Sequence, residues 1–221
     1  MTIVEFLSTY WPRLLTGTGV TIVQFFLAAF LGVAISLVMG LLKLSPNRML
    51  RGFAISYIEF FRGTSLLVQL FWIFYVLPLF GVSIDKFTAG YVAVGMNIGG
   101  YGAELVRGGI LSVRKGQWEA ALAINLSPAK RMWRIILPQA LVNMLPAWGN
   151  LMIELLKATA LVALISVPDL MFEARQINGS TFLSAQVFGT ALVIYYLLAR
   201  FMITPFMRWL ERFMARKLGM V

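Results

Sequence analysis

The 221-residue chain contains no cysteine and no histidine. The first absence excludes disulfides, thiol nucleophiles and thiolate metal sites; the second removes imidazole ligands and any general base that titrates near neutrality. Acids are also scarce, with nine Asp and Glu against 19 Lys and Arg. Charged residues make up 13% of the chain, which is about half the share in a soluble domain. No G-x-x-x-x-G-K-[ST] stretch occurs, so the chain has no phosphate-cradling loop of its own. Internal repeats, low-complexity tracts and a separate soluble domain are equally missing from the pattern. Most soluble-enzyme chemistries are thereby excluded.

What is abundant is apolar surface, at 60% of residues and a mean hydropathy of +0.83. Lipid is the natural solvent for such a composition, and a span needs about 20 mostly apolar residues in a helix. Gly19 to Leu42 is such a run, with polar side chains only at Thr21, Gln24 and Ser36. Its flank, Met39-Gly-Leu-Leu-Lys43, offers no small-residue cleavage site, so this span is expected to be retained. Further runs cover residues 63–80, 87–105, 139–167 and 182–204. The expectation is an all-α integral membrane domain, residues 1–221, with five transmembrane helices. Pro146, Gly149, Asn150, Glu154 and Lys157 make the fourth the least regular, so a kink or local opening is expected there. Gly95 and Gly99, extended by Gly100 and Gly102, predict close helix approach in the third.

The basic residues then give an orientation. Fifteen of the 19 fall on one side: Lys43, Arg48, Arg51 and Arg62 after the first span, six between Arg107 and Arg134, and five from Arg200 to Lys217. Only Arg13, Lys86 and Arg175 fall on the other, with Lys157 inside the membrane. By the positive-inside rule the amino terminus lies outside and the carboxyl terminus in the cytoplasm. The excess charge becomes a collar facing anionic headgroups, and a nucleic-acid reading loses its support.

Three acid–base pairs share an i,i+3 spacing: Glu59/Arg62, Glu104/Arg107 and Glu154/Lys157. Such partners are neighbours on a helix. The first two are either local pairs at headgroup level or a cross-link between spans 2 and 3 that forms part of an inner gate. Glu154 and Lys157 lie in span 4, where an unpaired charge costs about 2.5–3.5 kcal/mol on insertion scales. They are expected to pair and to face a water-filled cavity, or else to fix helix packing. Glu154, Lys157 and Thr159, with Asn97 of span 3, are the candidate translocation residues. Glu154 is suited to an ammonium group, and Thr159 and Asn97 to a carboxylate.

The loop 107–138 is the longest hydrophilic stretch. Glu119-Ala-Ala-Leu-Ala-Ile124 contains strong helix formers, and Asn125 suits a left-handed helix stop. Ser127 is a plausible N-cap with Pro128 at the first helical position. Physically this is two short helices joined by a turn, which by itself also describes an interfacial amphipathic connector.

The same residues resemble a family signature. Permeases of bacterial ABC importers carry E-A-A-x3-G-x9-I-x-L-P in a cytoplasmic loop. Here Glu119-Ala120-Ala121 is followed at that spacing by Asn125 and then Ile135-Ile-Leu137-Pro138, with only the Gly replaced. The chain is similar to the polar amino acid branch throughout. Tyr57-Ile-Glu59-Phe-Phe-Arg62-Gly-Thr64 to Gln69 resembles the entry to span 2, with Ser65 where Pro is usual, and Tyr101 to Ile110 resembles the end of span 3. Leu156-Lys157-Ala-Thr159-Ala-Leu161 resembles a K-D-T-S-L segment in which Ala158 and Ala160 replace Asp and Ser.

The resemblance implies the type I importer permease fold and no enzymatic activity in this chain. It implies a coupling helix within Gly116 to Arg131 that seats in a groove of a cytoplasmic ATPase, with Glu119 as polar anchor and Ala120, Ala121, Asn125 and Ser127 shaping the contact. The implied partners are two ATPase subunits holding ATP and Mg2+, a second permease (identical or homologous), a periplasmic solute-binding protein and membrane lipid of the bacterial inner membrane. The implied substrate is a polar amino acid or a related zwitterion, with an amino-acid-derived osmolyte such as ectoine as the alternative. The competing class is an ATP-independent carrier or channel subunit. Many such carriers show an inverted repeat, which five spans cannot divide into equal halves.

Overall fold

The structure, a computed structural model, describes residues 2–217. Those residues form helices and connecting turns, without a strand. Helix α1, Ile3–Lys43, opens on a capping box in which Thr2 and Glu5 satisfy each other's backbone amides. At 41 residues it runs about 60 Å, twice the thickness of a hydrocarbon core. The run expected to begin at Gly19 is thus the second part of a longer helix that continues through Pro12. Its first part buries Phe6 and Leu14 in a separate core cluster with Leu170, Ala174, Ile177, Val187, Ala191 and Ile194.

The run at 63–80 begins at a bend. Helix α2, Arg48–Gly63, and helix α3, Leu66–Phe71, meet at a bend, and the two arms diverge by 104°. Thr64 sits in extended backbone at the corner, and a π-helical turn, Trp72–Val76, and a 3-10 turn, Leu77–Phe80, follow α3. Helix α4, Lys86–Leu111, starts at Asp85, whose carboxylate accepts from the Phe87 and Thr88 amides at 3.0 Å. The Thr88 side chain, together with those amide bonds, holds its carboxyl below the usual range.

Two short helices, α5 (Lys115–Ala123) and α6 (Pro128–Arg131), lead through a π-helical turn into α7, Leu137–Thr159. A kink or local opening is expected in the run 139–167, and the 3-10 turn Ala160–Ile165 falls inside it. Helix α7 is unbroken across Pro146, and the irregular backbone lies at its ends, in the π turn Met132–Ile136 and the 3-10 turn Ala160–Ile165. A proline forfeits one intrahelical hydrogen bond, and the buried Leu145, Trp148, Leu151 and Met152 pack the helix into the core on either side of it. Ser166, with φ 62°, ends the 3-10 turn. Helix α8, Leu170–Thr181, is a further element between the expected fourth and fifth spans. Helices α9 (Ser184–Leu197) and α10 (Thr204–Lys217) are continuous through a π turn, so the last run extends well past residue 204.

Among the described residues three helices are long and apolar enough to cross a membrane, Ile3–Lys43, Pro128–Ile165 and Ser184–Lys217; the bent pair Arg48–Gly63 and Leu66–Phe80, counted as one span, brings the number to four. The expected third span, 87–105, lies in α4, which has the length but a glycine-rich, less apolar sequence. Its position explains this: α4 is the central helix, buried against α1, α2 and α7, and meets protein rather than lipid. Close approach is what its glycines provide. A Cβ on Gly99 would press to 2.6 Å from Ile35 of α1, and one on Gly102 would overlap Ser36 Oγ and reach 2.7 Å from Trp148.

Candidate functional site

The α5–α6 hairpin follows from its residue order. At the end of α5, Asn125 adopts φ 54°, its amide donates to Leu122 O at 2.9 Å, and the Leu126 amide donates to Ala121 O at 3.1 Å. This pair of bonds is the Schellman stop, and Asn is the side chain that best tolerates it after Gly. Ser127 then caps α6 by accepting from the Lys130 amide at 3.5 Å, with Pro128 in the first turn. Ala121 is buried, whereas Gly116, Glu119, Ala120, Leu122 and Ile124 are exposed. Arg131 lies 5.7 Å over the Trp118 ring and bridges the two short helices. At the base, Gln139 Nε2 donates to Gln117 Oε1 at 3.3 Å and Asn143 Nδ2 donates to Ser112 Oγ at 2.9 Å, tying the hairpin to the start of α7.

The acid–base pairs are arranged differently from expectation. Glu104 does pair with Arg107, at 2.9 Å, but its other oxygen takes Lys43 at the end of α1. The cross-link therefore joins α1 to α4, not spans 2 and 3. Glu59 is exposed and makes no ion pair with Arg62 among the described residues. The reason is the direction of α2: Arg62 turns to α4 and lies 5.5 Å over the Tyr101 ring. Glu154 and Lys157 are both exposed on α7 and likewise form no ion pair. Their i,i+3 spacing allows a pair without requiring one.

Asn97 and Thr159 are buried, and the Asn97 amide nitrogen and the Thr159 hydroxyl are hydrogen-bonded within the fold. Asn97 Nδ2 donates to Phe61 O at 3.0 Å and to Gln69 Oε1 at 3.1 Å, while Gln69 Nε2 donates to Phe61 O and Thr64 Oγ1. This network closes the α2–α3 bend onto α4. Thr159 Oγ1 donates to Leu156 O at 2.7 Å. An apolar cleft of about 300 Å3, lined by Trp11, Leu15 and Phe201 among others, includes none of the four candidates. Neither does a polar cavity of about 280 Å3 around Ser166, Arg175 and Gln176. Among the described residues none of the four candidates hydrogen-bonds another.

The profile of a "binding-protein-dependent transport system inner membrane component" matches residues 32–216. The chain belongs to that family. Among curated relatives, the permease is 43% identical over 209 residues to the probable amino-acid ABC transporter permease y4tF of Sinorhizobium fredii, covering 92% of this chain and 87% of the relative. It is 39% identical to the L-cystine transport system permease TcyB of Bacillus subtilis, covering 85% and 78%. A crystal structure of an amino acid ABC transporter with histidines aligns over 96% of this chain and 98% of that one, with a TM-score of 0.87 and 36% identity. An inward-facing MetNI methionine transporter, at 22% identity and a TM-score of 0.80, shares the fold.

Three features of the permease escaped the sequence reading. Lys43 is the partner of Glu104, and its signal was its place as the first charge after a long apolar run. Leu122, Ile124 and Trp133 put exposed apolar side chains around the hairpin, visible as hydrophobic residues inside a hydrophilic loop. A buried polar junction joins α1, α8 and α9. Thr21 Oγ1 accepts from the Leu170 amide at 3.1 Å, Asp169 caps α8 through the Phe172 amide at 2.8 Å, and Tyr195 Oη donates to Asp169 at 3.4 Å. Burial pushes the Asp169 carboxyl up to about 7.

Proposed function

We propose that this permease is the membrane-spanning subunit of an ATP-driven importer for a polar amino acid or a related zwitterion, in a bacterial inner membrane with its amino terminus outside. The observation that carries the reading is the exposed α5–α6 hairpin, with Glu119 and apolar Leu122 and Ile124 on its surface, in a chain whose sequence has no nucleotide-binding loop. Two ATPase subunits, which bind ATP and Mg2+, seat this hairpin in their grooves. Gly116, Ala120, Ala121, Asn125 and Ser127 give it its shape, and Glu119 anchors it. The names of the y4tF and TcyB relatives support an amino acid as the substrate class, and the ectoine alternative draws no support from them.

A second permease, identical or homologous, completes the pathway. Glu154 and Lys157 are exposed on the surface of α7 and too costly to leave in lipid, so they face that partner or the water between the two. A periplasmic solute-binding protein delivers substrate to the outer turns. ATP closes the ATPase dimer, the hairpins carry the motion, and the two permeases alternate between outward- and inward-open forms. Swinging such an equilibrium from 1:99 to 99:1 takes about 5.5 kcal/mol of differential binding, which nucleotide closure can supply.

Co-purification tests this. The wild-type complex should retain a P-loop ATPase in stoichiometric amount, and Glu119→Arg with Ala121→Trp should lose it. Substrate uptake into liposomes by this chain alone would overturn the importer reading in favour of an ATP-independent carrier.

A further inference from the structure

Helix α10 presents one face that none of the described residues covers. Phe206, Trp209 and Phe213 recur at i, i+3 and i+7, with relative exposures of 56%, 55% and 49%. Their rings form a continuous ladder: Phe206 and Trp209 stack with centroids 6.1 Å apart, and Trp209 and Phe213 at 5.5 Å and 16°. An adjoining face of the helix is anchored, with Ala215 buried and Met207, Leu210 and Met214 half-buried. Arg208, Arg212, Arg216 and Lys217 are all exposed, while Glu211 is half-buried and contributes one negative charge. At about 100° per residue, Arg212 and Arg216 border the aromatic ladder on one side and Lys217 on the other.

The packing gives the depth of this face. Met207 lies opposite Gly149, where an added Cβ would stand 3.7 Å from the Met207 Cβ. Trp148, the neighbour of that glycine, meets Gly102 of α4 and Ser36 of α1 at one level. Glu104 stands less than one turn beyond Gly102, Arg107 about one and a half turns beyond it, and Lys43 about two turns beyond Ser36; this cluster is the first group of charges on α4 and α1 at this end. Helix α10 therefore leaves the apolar level where the surrounding helices become charged, and its ladder continues through the headgroup zone. Aromatic rings with a polar or charged border are the side chains that this zone selects.

We propose that the α10 ladder is a binding face for anionic phospholipid, its rings lying among the upper acyl chains and glycerol while Arg212, Arg216 and Lys217 hold the headgroup phosphates, with Arg208 adding to the field. Four exposed cations against one acid give the complementarity, and the aromatic stack gives a rigid wall against which a lipid orders. The face thus selects lipid type, which a merely apolar surface does not do.

The test is fluorescence quenching of the full-length chain reconstituted in phosphatidylcholine vesicles carrying either brominated phosphatidylglycerol or brominated phosphatidylcholine. The Trp209 contribution is isolated as the difference between the parent and Trp209→Phe. The expected result is that brominated phosphatidylglycerol is about fivefold or more the better quencher, since each basic residue near a membrane surface contributes about that factor toward anionic lipid. Arg208→Gln/Arg212→Gln/Arg216→Gln should bring the ratio close to one, and the corresponding triple Lys variant should keep it. Equal quenching of the parent by both lipids, or a preference unchanged in the Gln variant, would overturn the proposal. So would a Trp209 that neither lipid quenches, because a second permease or another protein would then cover the face. The measurement needs neither ATP nor transport, so its failure is distinct from failure of the importer reading.

Discussion

Glu104 bridges Lys43 of α1 and Arg107 of its own helix, and this carboxylate is the polar clasp of the seam between the first and central helices. All three side chains are partly shielded, so the clasp falls between an exposed pair and a buried one. Glu104→Gln should lower stability in detergent by about 1–3 kcal/mol, leaving Lys43 without its anion. Glu59→Gln should change it by no more than about 0.5 kcal/mol, as for an ordinary surface substitution. Thermal unfolding of both variants checks the contrast, and equal losses would contradict the α1–α4 assignment. The swap Lys43→Glu/Glu104→Lys should recover only part of the loss, because the new lysine would stand beside Arg107.

The same seam constrains Gly102. An alanine there would overlap Ser36 Oγ and crowd Trp148, while Ser36 is itself engaged, donating to Gly32 O at 2.6 Å. Gly102→Ala should cost about 1–3 kcal/mol by overpacking. Adding Ser36→Gly should return much of that, since both the Oγ and the Cβ that collide would be gone. A double variant no more stable than Gly102→Ala would place the strain elsewhere.

Asn125 is the hairpin's left-handed residue. Asn125→Gly, which restores the family's usual residue, should leave the hairpin and its ATPase contact intact. Asn125→Val should cost about 1–2 kcal/mol at that turn, because a β-branched side chain opposes positive φ. Protease sensitivity of the segment around 115–131, read with ATPase retention, is the measurement. Valine without effect on either would mean that the stop is not needed for coupling.

Asp169 carries a pH dependence whose sign follows from burial. Its folded carboxyl titrates near 7, above its ordinary range near 3.8. Its contribution to stability is therefore fully present below the ordinary range and is lost as pH rises through about 7. The parent should melt at a lower temperature at pH 8 than at pH 5. Asp169→Asn, which still caps α8, should flatten that difference and melt above the parent at pH 8. A slope unchanged in the variant would assign the titration to another group.

Much of the candidate coupling surface was legible in the residues themselves. Helix formers at 119–124, a left-handed stop at Asn125 and a Ser-Pro cap at 127–128 act over four or five residues, and each takes the backbone form its chemistry favours. The inner gate and the translocation residues were less legible, because an i,i+3 spacing states which side chains can meet but not which neighbours compete for them. Glu104 accepted a residue 61 positions away, Arg62 chose the Tyr101 ring, and Asn97 was taken by Gln69 and the Phe61 carbonyl.

By itself the sequence determined that this protein is an all-helical chain solvated by lipid, with a short two-helix loop of defined caps and a strong basic asymmetry. Those properties come from composition, local backbone preference and charge, and none needs a distant contact. The tertiary structure decided the 104° bend at Thr64, the continuation of α7 through Pro146, the α1–α4 clasp and the exposed ladder on α10. Each of these depends on which surfaces meet across helices far apart in the chain, where packing and the pairing of polar groups override what a local stretch would do alone.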